Sequence, residues 1–406
     1  MLENISPVKP KQRHIILDAL RGLALFGICL ANYPEFSLYS FLDKEITSTM
    51  PTAGIDLIVK YLQYIFIDGK FYSLFSLLFG IGFSIILSNA AKNKRSGLKI
   101  FYRRMCILIL IGLFHLLFIW AGDILLLYAI LGLVLPLFRN VSNKGLLIWG
   151  TIFLLLPVFI DTFVQIYDWN LASPVIQATA YFHKQYGITE SSFPVWLVQK
   201  QTYLDVLKFN IAGSFIRMQE FIEGNRLFRV MGLFLLGLYI GRNRIFANLE
   251  KNKNGFKTIR FYGFIVGLPL SILYAWSAIN GHPLGLAAHS VLYTFSVFPL
   301  SLAYITTICL WYDNHKQHAV FKVLAAPGKM ALTNYILQSV FGMIIFYGIG
   351  FGLGASLGLI YVELIASVVF IFQIIYSHLW LCKLQFGPLE WVWRMLTYKK
   401  WLQILK

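Results

Sequence analysis

Long apolar runs bounded by polar or basic residues recur along the whole chain. A run of about 20 apolar residues is long enough to cross the hydrocarbon core of a bilayer as an α-helix. The pattern predicts an all-α, polytopic membrane helix bundle with ten spans at residues 15–34, 68–89, 104–121, 123–138, 145–166, 227–242, 259–279, 286–312, 330–351 and 357–381. The apolar segment 54–67 ends at Asp68-Gly69-Lys70, which favours an interfacial or re-entrant helix over a further crossing.

The basic residues predict the orientation, because Lys and Arg in short loops resist translocation. Most of the 35 Lys and Arg residues fall in loops that are cytoplasmic if the N-terminus is cytoplasmic. We therefore expect both termini to be cytoplasmic. The first 14 residues are polar, and the apolar run after them has no small-residue cleavage site. The first span is expected to be retained and not removed as a signal peptide.

The composition excludes an ordinary soluble domain. Of 406 residues, 58% are hydrophobic and 13% are charged, and the mean hydropathy is +0.68. The net charge of +17 is explained by basic loops that face an anionic cytoplasmic leaflet. The sequence has no glycine-rich phosphate loop, no zinc-ligand spacing and no basic patch with interleaved aromatics. We expect no metal site and no nucleic acid partner.

Three regions follow from the spans: an N-terminal membrane bundle at 1–166, an extracytoplasmic helical loop at 167–226, and a C-terminal membrane bundle at 227–406. The loop is either a lid over an outward-facing cavity or a passive connector. The last region ends in a helix rich in Trp, Arg and Lys, a composition typical of the membrane interface. Gly237 and Gly241 allow close helix packing, and their spacing is also that of a helix-dimerisation face, so a homodimer is a further possibility.

Asp18 and Arg21 place an acid and a base at the start of the first apolar span. A charge close to hydrocarbon costs about 2.5–3.5 kcal/mol, so it needs a partner, water or a function. The two residues are three apart on one helix face and can neutralise each other. Two interpretations remain: a structural ion pair, or part of a site for a substrate or cofactor.

His115 lies within the third predicted span, and Asp123 follows directly after Gly122. A neutral histidine that bonds across helices is one interpretation. The other is a general base, since imidazole accepts a proton near neutral pH and Asp123 could orient it. Eight residues span about 12 Å of continuous helix, so contact between the two requires a break near Gly122.

Further polar residues lie within or at the rims of spans. The topology places Asn32, Asp68, Asp123 and His289 in the outer half of the bundle and Asp18 and Arg21 near the cytoplasm. Asn334 and Gln338 are one helical turn apart, so both amides face one direction. Two polar layers of this kind could bind different ligands from the two sides of the membrane.

Several segments resemble the YeiB-like family of bacterial polytopic membrane proteins, a family of unknown function. They are Leu17-Asp-Ala-Leu-Arg-Gly, Asp68-Gly-Lys-Phe-Tyr-Ser-Leu-Phe, Arg103-Arg104, Gly112-Leu-Phe-His115 with Gly122-Asp-Ile-Leu, Gly232-Leu-Phe-Leu-Leu-Gly, Gly328-Lys-Met-Ala-Leu-Thr-Asn-Tyr-Ile-Leu-Gln-Ser, and Phe386-Gly-Pro-Leu-Glu-Trp-Val-Trp-Arg. This resemblance implies a multi-pass protein of the bacterial cytoplasmic (inner) membrane, in contact with membrane lipids.

The N-terminal portion is also similar to transmembrane acyltransferases of the heparan-glucosaminide acetyltransferase type. Asp18, Arg21 and Gly22 match their Asp-x-x-Arg-Gly pattern, and Asn32 matches a polar residue near the outer end of the same span. The resemblance implies acyl transfer from cytoplasmic acyl-coenzyme A to a sugar or lipid-linked acceptor of the cell envelope. Those enzymes carry a catalytic histidine soon after that Asn, whereas residues 34–52 here contain none.

The resulting hypothesis assigns a role to each candidate. Coenzyme A would be bound by Asp18, Arg21, Arg103 and Arg104; the catalytic groups would be His115, Asp123 and Asp68; and the acceptor would be bound by Asn32, His289, Asn334 and Gln338. The alternative is a transporter or flippase for a lipid-like or amphiphilic small molecule. That alternative uses the same polar groups without a catalytic histidine.

Overall fold

The computed structural model describes residues 15–92, 96–189 and 191–406, which are helical with no strand among them. The helices are α1 (Ile15–Phe36), α2 (Lys44–Thr49), α3 (Ala53–Leu62), α4 (Lys70–Lys92), α5 (Gly97–Phe118), α6 (Leu125–Val134), α7 (Asn143–Tyr167), α8 (Ser173–Tyr186), α9 (Phe193–Gln199), α10 (Tyr203–Glu223), α11 (Arg226–Arg242), α12 (Lys253–Ile279), α13 (Gly285–Asn314), α14 (Ala319–Lys329), α15 (Ala331–Phe346), α16 (Leu359–Lys383) and α17 (Pro388–Tyr398).

Within the described ranges, seven helical runs are long and apolar enough to cross a membrane, or eight if α14 and α15 form one bent span. The prediction of a helical membrane protein is confirmed at this level. Two of the ten predicted spans correspond to shorter helices, the apolar run Leu125–Phe138 and the 17-residue α11. The polar segment 1–14, expected to be cytoplasmic, lies outside the described residues.

The segment 54–67 leads directly into α4. α3 continues through one irregular turn and residues Asp68 and Gly69 into α4, and the whole forms a single run, Ala53–Ala91, of 39 residues. Asp68 and Gly69 interrupt the helix but do not turn the chain away from α4, and the interfacial position of the segment stays a prediction. Lys70 is fully buried and its ammonium donates to the carbonyl of Tyr64, 2.6 Å away, which bridges the irregular turn.

α1 crosses α14 with their backbones in direct contact, and two glycines permit this. A Cβ at Gly22 would overlap the carbonyl oxygen of Leu324, and a Cβ at Gly328 would overlap that of Asp18. Small residues allow membrane helices to approach this closely. After Lys329 the chain bends by 76° into α15. The crossing therefore places the start of α15 beside Asp18 and Arg21.

Gly237 and Gly241 lie at a contact within the chain. A Cβ at Gly237 would overlap the carbonyl of Leu77, and one at Gly241 would press on Ser84 and Ile81 of α4. The interpretation of these glycines as a dimerisation face was wrong, because α4 already occupies that face. The spacing alone cannot tell an internal helix partner from a second copy.

The region 167–226 packs on the end of the bundle where α1 ends. It contains α8, α9 and α10, and α10 contacts α5. Trp196, Leu197 and Phe209 share a buried cluster with Tyr33 and Phe36 at the end of α1. The amide of Gly348, after α15, donates to the carbonyl of Leu197. These contacts bring α10 against the turn between α5 and α6.

Candidate functional site

A cavity of about 240 Å³, here called the inner cavity, lies between α1, α4, α5, α6, α15 and α17. Four basic residues line it: Arg21, Arg104, Lys329 and Arg394. Phe75, Phe79, Met105 and Leu108 give it an apolar wall, and Tyr128 and Tyr335 line it away from the basic end. A slot with cations at one end and hydrocarbon along its length suits an anionic amphiphile.

Asp18 and Arg21 both line the inner cavity and pair with each other. Arg21 Nη1 donates to Asp18 Oδ1 over 2.7 Å. Asp18 is buried, and its second carboxylate oxygen has no hydrogen-bond partner. The Arg21 side chain is 28% exposed. The pair predicted from the sequence is thus present, and Arg21 has donors left for a ligand.

Arg103 and Arg104, which were both predicted to bind coenzyme A, point in different directions. Arg104 lines the inner cavity, and its guanidinium stacks on the ring of Trp393 at 3.6 Å. Arg103 donates instead to the carbonyl of Thr397, 2.9 Å away, and is not part of the cavity wall. Neighbours on a helix are about 100° apart around its axis, so one side chain can face the slot while the other ties α5 to α17.

Glu390 attaches the interfacial helix α17 to the start of α15. Its Oε1 accepts the amides of Leu332 and Thr333 at 2.6 and 3.0 Å, and its Oε2 accepts the Thr333 hydroxyl at 2.6 Å. Burial raises the pKa of the Glu390 carboxyl, and the hydrogen bonds from Thr333 and the backbone oppose this rise. The carboxylate satisfies amides that a helix N-terminus leaves unpaired. α17 is thereby fixed as a wall of the inner cavity.

Replacement of Glu390 by alanine is expected to lower the free energy of unfolding by about 2–4 kcal/mol. Two buried amides and a hydroxyl would lose their acceptor, and each unpaired buried group costs about 1–3 kcal/mol. Thermal unfolding of the purified protein in detergent measures the loss. Glu250→Ala, at an exposed position, is the matched control and should change stability by less than about 0.5 kcal/mol. Equal midpoints for both variants would contradict the anchoring role.

His115 and Asp123 are brought together by the turn between α5 and α6. His115 Nδ1 lies 2.7 Å from Asp123 Oδ2, and Asp123 Oδ1 accepts the amide of Leu126 at 2.7 Å. Both side chains are buried. The helix ends at Phe118, and the chain reverses before Leu125. The break needed for contact is present, at the place where Gly122 indicated it.

Two residues of this site were missed by sequence reasoning, Ser339 and Tyr335, one turn apart on α15. Ser339 Oγ lies 2.8 Å from His115 Nε2, so both ring nitrogens of His115 are engaged. The ring of Tyr335 packs on His115 with centroids 5.2 Å apart, and its hydroxyl is buried without a partner. Both residues belong to the segment 328–339, which resembles the YeiB-like family. That resemblance was the feature of the sequence that could have identified them.

A second cavity of about 680 Å³, here called the outer cavity, lies at the other end of α1. Glu35, Asp56, Lys60, Tyr64 and Asp68 are among its lining residues. Its surface is far more polar than that of the inner cavity, with three carboxylates, an ammonium and a phenol among these residues. Such a surface suits a hydroxyl-rich molecule.

Arg217 of α10 connects the outer cavity to the turn that carries Asp123. It donates to Glu35 at 3.2 Å and to Glu220 at 2.5 Å. Burial lowers the pKa of Arg217, but the charges of Glu220 and Glu35 outweigh this and raise it. A Cβ at Gly122 would overlap the Arg217 guanidinium. The His115–Asp123 pair therefore lies between Tyr335, on the inner side, and the Arg217–Glu35 pair, on the outer side.

Asp68 and His289 meet at one tyrosine. Tyr274 donates its hydroxyl to Asp68 at 2.6 Å, and the His289 ring packs on Tyr274 at 5.0 Å. Asn32 is half-buried in the last turns of α1, and Glu35, one turn later, lines the outer cavity in its place.

Across residues 15–92, 96–189 and 191–406, no three His, Cys, Asp or Glu side chains are grouped as a metal site.

Asn334 and Gln338 face α16 together, as their spacing predicts. Asn334 donates to Ser377 at 2.9 Å and Gln338 donates to Gln373 at 3.0 Å. Both are fully buried, and their carbonyl oxygens have no partner. The structure engages these amides in contacts between helices, and their predicted role in binding an acceptor stays a prediction.

Comparison with known proteins identifies relatives along the whole chain. A family model described as "Protein of unknown function (DUF418)" matches residues 240–400. The chain is 30% identical to the uncharacterized protein YxaH of Bacillus subtilis (strain 168), over all of this chain and 99% of that protein. It is 26% identical to the uncharacterized protein YeiB of Escherichia coli (strain K12), over 96% of this chain and 97% of that protein. No solved structure matches the chain.

Proposed function

We propose an activity for this chain, which belongs to the YeiB-like (DUF418) family of membrane proteins, from the two cavities and the buried His115–Asp123 pair between them. The protein is an acyltransferase that moves an acyl group from cytoplasmic acyl-coenzyme A to a hydroxyl of a cell-envelope sugar or lipid. The observation that carries the proposal is the position of the His115–Asp123 pair. It separates a cationic, apolar slot on one side from a polar cavity on the other.

The inner cavity supports the donor assignment. Arg21, Arg104, Lys329 and Arg394 offer positive charge to the phosphates of coenzyme A, and arginine binds phosphate oxygens with two parallel donors. The apolar wall accepts the acyl chain. The cavity is lined by residues of six segments that resemble the YeiB-like family, those that begin at Leu17, Asp68, Arg103, Gly122, Gly328 and Phe386. Segments distant in the chain thus contribute to one binding site.

The outer cavity supports the acceptor assignment. Glu35 and Asp68 line it, and hydrogen bonds from a sugar or glycerol hydroxyl to such carboxylates are charge-assisted. The Glu35–Arg217 pair leads from this cavity to Gly122, next to Asp123. An acceptor held there approaches the same histidine from the opposite side. His115, oriented by Asp123, would act as the general base.

This function requires the predicted topology, with ten crossings of the bacterial inner membrane and both termini in the cytoplasm. The predominance of Lys and Arg in the loops that this topology places in the cytoplasm supports it, provided that the short α6 run and α11 both cross. Arg21, Arg104, Lys329 and Arg394 then face the cytoplasm, where acyl-coenzyme A is made. The region 167–226 and the outer cavity then face the cell envelope.

Acyl-coenzyme A is expected to raise the melting temperature of the purified protein, and Arg21→Ala to weaken its binding about 10- to 150-fold. That range corresponds to about 1.5–3 kcal/mol for hydrogen bonds to a charged group. At about 100 times the dissociation constant the wild type gains about 2.7 kcal/mol. A free fatty acid of equal chain length should give a much smaller shift, because it lacks the coenzyme A phosphates.

Two control variants make this measurement specific. Arg260→Ala removes an exposed arginine of α12 and should leave the shift unchanged. The double variant Asp18→Asn with Arg21→Gln removes the ligand donor without leaving a buried, unpaired carboxylate, and should bind as weakly as Arg21→Ala. Absence of a shift with every acyl chain tested would contradict the proposal and favour the transporter alternative.

A further inference from the structure

We propose that Ser339 is the catalytic nucleophile of a Ser–His–Asp triad, and that transfer proceeds through an acyl-serine intermediate. The proposal rests on the acyltransferase function and names the atom that His115 deprotonates. Ser339, His115 and Asp123 form a chain of contacts of 2.8 and 2.7 Å. A nucleophile bonded to a base, with the base oriented by a carboxylate, is the arrangement that activates a serine hydroxyl.

The hydrogen-bond partners of neutral His115 determine which way the serine proton points. A carboxylate only accepts, so Nδ1, which faces Asp123, must carry the imidazole proton. Nε2 is then an acceptor, and the group beside it must donate. The Ser339 hydroxyl is that group, at 2.8 Å. The serine proton is thus directed at the base before any ligand binds.

The Ser339 hydroxyl points to a histidine that is itself bonded to a carboxylate. A serine within a helix commonly bonds the carbonyl four residues earlier, as Ser73 does at 2.6 Å. Ser277 also contacts a histidine, His289 at 3.0 Å, but His115 is the one held by Asp123. Ser339 is 3.5 Å from the carbonyl of Tyr335, and its short contact is with His115. The Ser339 hydroxyl is hydrogen-bonded to His115, and packing of the helix alone does not explain that contact.

Tyr335 lies between Ser339 and the donor slot. Tyr335 lines the inner cavity one turn before Ser339, and its hydroxyl is buried without an acceptor. A free donor beside a nucleophile can stabilise the negative charge that develops on a carbonyl oxygen. Ser339 itself is 1% exposed and does not line the cavity, so the Tyr335 ring must turn aside when the thioester enters.

The two half-reactions balance without any further reagent. Ser339 Oγ attacks the thioester carbonyl, its proton passes to His115 Nε2, and the carbon–sulfur bond breaks. The coenzyme A thiolate leaves with that proton, and an ester joins the acyl group to Ser339. An acceptor hydroxyl from the outer side then gives its proton to His115 and attacks the ester. The product ester forms, and Ser339 recovers its proton.

The test is mass spectrometry of the full-length protein incubated with acyl-coenzyme A in the absence of acceptor. An acyl group on the peptide that contains Ser339 is the expected result, and Ser339→Ala should carry none. Ser339→Cys should carry it as a thioester that hydroxylamine cleaves. Ser367→Ala, which removes a serine hydroxyl bonded only to its own helix, should be acylated as well as the wild type.

A second probe separates this inference from the proposed function. A small fluorophosphonate reacts with an activated serine whatever the natural donor, and should label Ser339 in the wild type but not in His115→Gln. If Ser339 is labelled but acyl-coenzyme A does not raise the melting temperature, Ser339 is a nucleophile and acyl-coenzyme A is not the donor. The other outcome has two parts: the wild type shows no acyl adduct and no labelling, and a folded Ser339→Ala variant binds acyl-coenzyme A and transfers the acyl group normally. This result would overturn the nucleophilic role of Ser339 and leave the acyltransferase function standing.

Discussion

Replacement of His115 by glutamine is expected to lower the rate of acyl transfer about 10²- to 10⁴-fold, the usual contribution of a positioned acid–base group. Glutamine keeps a polar side chain between Asp123 and Ser339 but cannot carry a proton from one substrate to the other. The binding of acyl-coenzyme A should persist, because the basic residues of the inner cavity are unchanged. Radiolabelled transfer and the thermal shift, measured on the same preparation, separate the two effects.

The matched control for this variant is His378→Gln. His378 lies in α16, and its Nε2 is buried without a partner, so it is a membrane histidine outside the proposed site. Transfer by this variant should equal that of the wild type within a factor of about two. If His115→Gln kept the wild-type rate, His115 would have a structural role and the reaction would need a different base.

Substitution of Gly22 by alanine is expected to destabilise the protein by about 1–3 kcal/mol and to weaken donor binding as well. The added methyl would overlap the carbonyl oxygen of Leu324, and a backbone atom cannot turn aside as a side chain can. α1 and α14 must separate, and forced overpacking of this kind carries that cost. Because the crossing positions Asp18, Arg21 and Lys329, the acyl-coenzyme A shift should fall together with the melting temperature.

Gly255→Ala provides the comparison. A Cβ at Gly255 has open space around it in the first turn of α12. Alanine there should leave stability unchanged or raise it by up to about 1 kcal/mol through its higher helix propensity. Similar losses for the two glycine variants would show that the α1–α14 crossing is not the reason Gly22 is needed.

The sequence predicted the elements of this fold and part of the site for identifiable reasons. Apolar run length identifies membrane helices because each must satisfy its own backbone in hydrocarbon. Asp18 with Arg21, and His115 with Asp123, were found because each pair is close in the chain. Local spacing and a glycine at a break were enough to predict both contacts.

Contacts between distant helices could not be predicted in the same way. Ser339 reaches His115 from another part of the chain, and a lone serine in an apolar helix has no pattern that distinguishes it. Arg217 was overlooked because the region 167–226 has no strong periodicity that shows which side meets the bundle. Gly237 and Gly241 indicated a close helix contact correctly, but no local feature names the partner. These outcomes depend on tertiary packing.

The interruption of the run Ala53–Ala91 at Asp68 and Gly69 has a consequence for the chemistry of the acceptor. Gly69 has a φ of +76°, so the 39 residues form two helical pieces, and Asp68 lines the outer cavity at the junction. In the proposed topology this cavity, with Asp56 and Lys60 of α3 in its wall, opens toward the cell envelope and admits water. Water then competes with every acceptor for the acyl group. Selectivity for transfer over hydrolysis must come from how completely the acceptor displaces solvent beside Arg217 and Glu35.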